Sequence, residues 1–103
     1  MITSTQNQKI KHIRALLSDR RTRQGEGLFV IEGVRVVEEA GASGLKPDLV
    51  LYSSNLTDRG KDLLKQFGDR GISIEEVLPQ ILENLSDTET SQGILAVLPI
   101  PKV

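Results

Sequence analysis

The 103 residues contain no cysteine and no tryptophan, and histidine occurs once. The missing cysteines exclude disulfides, thiolate metal sites and cysteine nucleophiles, and suit a reducing compartment, so a cytoplasmic location is expected. A single histidine, His12, leaves no His pair for zinc. Aromatic residues make up 3% of the chain, as Phe29, Tyr52 and Phe67. The base-stacking sheet of an RNA-recognition motif therefore has no support, and Phe29 and Phe67 fit apolar faces as core residues. Gly25, Gly33, Gly41 and Gly44 do not spell a phosphate loop or a dinucleotide fingerprint. No serine lies in a nucleophile elbow. The acidic pairs Glu38-Glu39 and Glu75-Glu76 are sequence neighbours. Neighbouring side chains diverge on a helix or a strand, which makes them poor acid–base pairs. No apolar run reaches the length of a signal peptide or a bilayer span, so no membrane partner is expected. Together these absences predict no catalytic, cofactor or metal residue within the chain.

What is present is enough for one domain. A chain of this size buries about 60–65% of its unfolded surface. The net charge is −1, but it is unevenly spread. Residues 1–35 hold seven bases (Lys9, Lys11, Arg14, Arg20, Arg21, Arg23, Arg35) against three acids (Asp19, Glu26, Glu32), a surplus of +4. The remainder must then carry −5 to give −1 overall. A basic end on an acidic body points to a local anion-binding face. Arg20, Arg21 and Arg23 fall within four positions, after a helix bearing Lys9, Lys11 and Arg14, and so read as one stripe ending in an arginine loop. Guanidinium forks grip phosphate, and affinity for a polyanion grows with the number of such contacts. His12, on the same helix, is a surface residue whose functional option is phosphate contact. Asn7, Gln8, Gln24, Ser91 and Gln92 are candidates for hydrogen bonds to bases or to a 2′-hydroxyl.

Periodicity orders the rest. Thr5 with Gln8 fits a capping box, with Asn7 as the competing cap; Ile10, Ile13, Leu16 and Leu17 then share a helical face. Leu28 to Ile31 reads as a buried strand. Val34 to Ala40 reads as a helix, with a β-hairpin turning at Glu32-Gly33 as the competitor because three of its valines are β-branched. Asp48 to Tyr52 is a second strand, and Thr57 caps a helix with Leu63, Leu64 and Phe67 on one face. Ile72 and Ile74 mark a short third strand, Pro79 opens a helix holding Ile81, Leu82 and Leu85, and "ILAVL" is a strand covered on both faces. This alternation predicts an α/β fold with a mixed or largely parallel four-stranded sheet flanked by helices. Pro99 and Pro101 suit an extended connector, giving a domain over residues 1–98 and a linker from 99 to 103.

Three stretches resemble the SpoU/TrmH family of RNA ribose 2′-O-methyltransferases. Ser4, Asn7, Ile10 and Lys11 open the first helix; Arg20 to Arg23 precede Gly27, Phe29, Glu32 and Gly33; and "LSDTETSQGILAV" covers Leu85 to Val97. Gln8 and Ser91 stand where relatives often have proline. The resemblance implies the family's N-terminal substrate-binding domain, a three-layer α/β/α sandwich like kink-turn-binding ribosomal proteins. It also implies structured RNA (rRNA or tRNA) as partner, and a helix after the Glu32-Gly33 turn. Methyl transfer, S-adenosylmethionine and the homodimer contact are implied for a following SPOUT domain, with no cofactor in this chain. Glu32 is expected to hydrogen-bond backbone amides at the strand-to-helix turn, and Gly33 to serve backbone geometry. A free-standing RNA-binding module, akin to a small ribosomal protein, and a protein-interaction domain with an acidic contact surface remain alternatives.

Overall fold

Helix α1 spans Gln8–Ser18 and begins at Asn7, whose side chain accepts the Lys9 N–H at 2.8 Å. Asn7, not a Thr5–Gln8 box, thus satisfies an orphan donor of the first turn. This computed structural model describes residues 1–86 and 92–101. Ile10, Ile13 and Leu16 are fully buried, whereas Leu17, expected beside them, is 41% exposed. Leu17 lies within the angular span of that face, but in the last turn, where it walls an open groove.

The segment expected as an arginine loop is a second helix, α2, Arg20–Glu26. Asp19 makes the break: its extended backbone ends α1, and its carboxylate accepts the Arg21 N–H at 2.9 Å and the Thr22 hydroxyl at 3.1 Å. One residue therefore stops one helix and caps the next. Gly27, at φ 67°, ends α2 in a left-handed turn that favours glycine and leads directly into β1, Leu28–Glu32.

The remaining elements are α3 (Val34–Ala42), β2 (Leu49–Tyr52), α4 (Asp58–Asp69), β3 (Ile74–Glu76), α5 (Pro79–Leu85) and β4 (Ile94–Pro99). The Val34 segment is helical, and the hairpin is excluded. Val34 and Val37 bury against the sheet while Val36 stays 47% exposed. Burying two valines outweighs the small helical cost of β-branching. Thr57 caps α4 by accepting the Gly60 N–H at 3.2 Å, and Pro79 stands in the first turn of α5, both as the sequence predicts.

The sheet order is β1-β4-β2-β3. It is mixed, not largely parallel: β4 runs antiparallel to both β1 and β2, and β2–β3 is the parallel pair. Side-chain alternation divides the core between the two faces. Leu95 and Val97 of β4 pack with α1 and α5, and Ile94, Ala96 and Leu98 pack with α3 and α4. That division makes a three-layer α/β/α domain. β1 is half-buried, as suits an edge strand, rather than fully buried as expected. At the other edge Ile2 extends the sheet: its N–H donates to the Glu76 carbonyl at 2.8 Å and its carbonyl accepts from Leu78 at 3.1 Å. Pro99 belongs to β4, and the Ile100 N–H donates to the Gly27 carbonyl at 2.8 Å, so pairing runs past residue 98. Among the described residues no helix is long and apolar enough to cross a membrane.

Candidate nucleic-acid interface

Helices α1 and α2 form one basic arm, and its side chains fall into two groups. Several are bound within the fold. Lys9 pairs with Glu75 of β3 at 2.5 Å. His12 Nε2 lies 2.8 and 2.9 Å from the Glu26 carboxylate oxygens, which ties α1 to the end of α2. Arg23 Nη1 donates to the Leu16 and Leu17 carbonyls at 2.7 and 3.3 Å, so this arginine closes the last turn of α1. Cationic donors on such orphan carbonyls stabilise a helix end. Asn7 is a cap whose Oδ1 is already in use. Arg35 lies outside the arm and pairs with Glu39 one turn along α3 at 3.4 Å.

Lys11, Arg20 and Arg21 make up the second group. All three are exposed and have no side-chain partner among the described residues. Arg20 and Arg21 occupy the first turn of α2, where a cation opposes the helix dipole and only the Asp19 carboxylate offsets it. Gln8 and Gln24 are likewise exposed without a described side-chain partner. Ser91 and most of the "SDTETSQ" loop lie outside the described residues.

Gln92 has a role the sequence does not disclose. Its Oε1 accepts the Val34 N–H at 2.9 Å, capping α3 from 58 positions away. Gly33 precedes α3 without any side-chain cap of its own. Its φ is 97°, and a Cβ there would stand 3.2 Å from Gln92 Oε1. The cap therefore needs glycine twice, for conformation and for space. Glu32, expected to bond amides at this turn, instead accepts the Ser86 hydroxyl at 2.8 Å.

That bond lies in a groove of about 460 Å³ between α1, β1 and α5. Arg14 enters from α1 and donates to the Asn84 side-chain oxygen. Glu32 enters from β1, held by Ser86. Leu17, Val30 and Leu85 supply apolar wall. Sequence reasoning finds Arg14 but misses Asn84, Ser86 and the second role of Glu32. The available signal is weak: two polar residues flanking Leu85 at the end of a helix. Among the described residues no group of three His, Cys, Asp or Glu side chains is arranged to hold a metal.

The described residues form a three-layer domain that carries one basic helical arm. The chain belongs to the MRM3-like substrate binding domain family, whose model matches residues 7–96. No curated protein matches the chain by sequence. Solved structures do. An RNA 2′-O ribose methyltransferase is 29% identical, with a TM-score of 0.82 over 98% of this chain and 38% of its own. The SpoU methyltransferase AviRb from Streptomyces viridochromogenes, in complex with AdoMet, is 24% identical, with a TM-score of 0.78 over 92% of this chain and 34% of its own. An AdoMet-bound rRNA methyltransferase from Sinorhizobium meliloti is 22% identical, with a TM-score of 0.82 over 99% and 37%. The last two likenesses are of fold. The chain thus spans 34 to 38% of the length of these structures. The kinship with SpoU/TrmH methyltransferases read from Asn7, the arginine segment and the Gln92 region holds.

Proposed function

We propose that this chain is the RNA-gripping domain of a ribose 2′-O-methyltransferase acting on rRNA or tRNA. Membership in a substrate-binding family supports the reading. The observation that carries it to RNA is the unpaired surplus on the arm: Lys11, Arg20 and Arg21 have no side-chain partner among the described residues, and two of them oppose a helix dipole. Phosphates supply the missing partners. Arg14 extends the same surface towards the groove, and Gln8 and Gln24 add hydrogen-bonding groups. Lys9, His12, Arg23, Arg35, Asn7 and Gln92 act chiefly on the fold and contribute to RNA through its shape.

In this reading residues 1–98 bind RNA, and residues 99–103 lead towards the part of the protein that carries methyl transfer and dimerisation. S-adenosylmethionine belongs to that other part. A cytoplasmic compartment belongs to the same proposal.

Fluorescence anisotropy with a structured RNA hairpin, repeated across salt, tests the proposal. Binding should weaken steeply between about 50 and 200 mM salt, with a log–log slope set by the number of phosphates neutralised. RNA binding that is absent at low salt, or insensitive to salt, defeats the reading; salt-insensitive capture of a protein would favour an interaction domain.

A further inference from the structure

We infer that the groove between α1, β1 and α5 receives one unpaired guanine of the bound RNA, an inference that rests on the RNA-binding reading. Two opposite charges share this groove without forming an ion pair with each other among the described residues. Each is tethered instead to the end of α5: Arg14 by Asn84, and Glu32 by Ser86. The tethers hold a guanidinium and a carboxylate in place while leaving capacity on both. Nε, Nη1 and the second hydrogen of Nη2 on Arg14, and Oε2 of Glu32, have no partner among the described residues, so Nη2 still completes one guanidinium fork with Nε or with Nη1. A fixed donor fork and a fixed acceptor in one groove call for a ligand with both an acceptor edge and a donor edge.

Among the four RNA bases guanine meets that demand most fully. Its N1–H and N2–H₂ are adjacent donors that suit the two oxygens of a carboxylate, and its O6 and N7 are acceptors that suit an arginine fork. Adenine and cytosine each offer a carboxylate one amino group beside a repelling ring nitrogen. Uracil offers one N–H between two carbonyl oxygens. Leu17, Val30 and Leu85 supply aliphatic surface for the base faces, as apolar walls do for extruded bases elsewhere. The volume of about 460 Å³ falls within the range of small-ligand sites. Leu17 belongs to this account: its 41% exposure at the end of an otherwise buried helical face is what a base would cover.

The test uses the 103-residue chain and four hairpins with the same stem and a loop differing at one unpaired nucleotide, followed by anisotropy, with 5′-GMP as a separate ligand. The guanosine hairpin should bind about tenfold tighter than the other three. Glu32→Gln should remove that preference without lowering the Tm, since glutamine can still accept from Ser86. 5′-GMP alone should bind far more weakly than the guanosine hairpin, because it lacks the backbone contacts of the arm. Four equal affinities in the unaltered chain overturn the guanine site while leaving RNA binding intact. Tight binding of 5′-GMP with no binding of any hairpin overturns both the RNA origin of the guanine and the RNA-binding reading beneath it.

Discussion

The two helical layers of this domain treat their charges differently. Helices α1 and α2 hold six lysines and arginines against one acid, Glu26, whereas α3 and α4 hold four bases against five acids. In the α3–α4 layer Arg35 pairs with Glu39 and Arg59 with Glu38; Lys61 and Lys65 are exposed and make no ion pair among the described residues, but Asp58, Asp62 and Asp69 of the same helix lie within four positions of one or both of them. In the α1–α2 layer Lys11, Arg20 and Arg21 remain without partners among the described residues. The difference teaches that a count of bases does not locate an anion site. Arg23 and Arg20 are three positions apart, yet one fastens a helix end and the other has no side-chain partner among the described residues.

The strongest way to break this comparison is charge reversal. Replacing Lys11, Arg20 and Arg21 together by Glu should cost about a hundredfold in RNA affinity at moderate salt. Replacing Lys61 and Lys65 by Glu should leave affinity nearly unchanged. Equal losses in the two layers would mean that RNA is held by diffuse attraction and that the arm is not special.

A second contrast lies within the arm and the turn behind it. Arg23→Ala removes charged donors from two helix-end carbonyls, and Gln92→Ala removes the cap of α3. Each should cost about 1 kcal/mol, which lowers the Tm by about 4–8 °C in a domain of this size. Neither should change the slope of affinity against salt. An unchanged Tm in either variant would remove its structural assignment.

Arg20→Ala and Arg21→Ala should behave inversely. Each should reduce the salt slope by about one and leave the Tm unchanged or slightly raised, because a cation is lost from a helix N-terminus. Calorimetry alongside the salt titration separates these variants from Arg23→Ala.

The smallest expected effect concerns acid. Hydrogen bonding to Arg59 holds the Glu38 carboxyl below its ordinary value of 4.5; burial opposes it less strongly, and the charge of Arg59 adds a smaller lowering. A carboxyl depressed in the fold contributes stability above its unfolded pKa and loses it as pH falls through the folded value. The Tm of Glu38→Gln should therefore lie slightly below that of the unaltered chain at neutral pH and converge with it well below 4.5. A gap that widens in acid would contradict this pairing.

Much of the fold was legible because it depends on local chemistry. Ile10, Ile13 and Leu16 repeat at helical spacing, Thr57 and Pro79 mark helix starts, and an unbroken "ILAVL" implies a strand covered on both sides. Two local signals were misread. Asp19 counted as a charge among arginines when its short carboxylate was the cap that made Arg20–Glu26 helical. Leu17 matched the buried face by angle but sits at the helix end, where the described residues leave it 41% exposed.

The sequence by itself determined the basic arm, the helix and strand periods and the family kinship, because each depends on residue type and spacing along one chain. Only the tertiary structure decided which bases of that arm are spent and which remain. The partners of Lys9 and Gln92 lie 66 and 58 positions away, and the tethers of Arg14 and Glu32 lie 70 and 54 away. Hydrogen bonds act over a few ångströms, so those assignments exist only after the sheet has brought distant helix ends together.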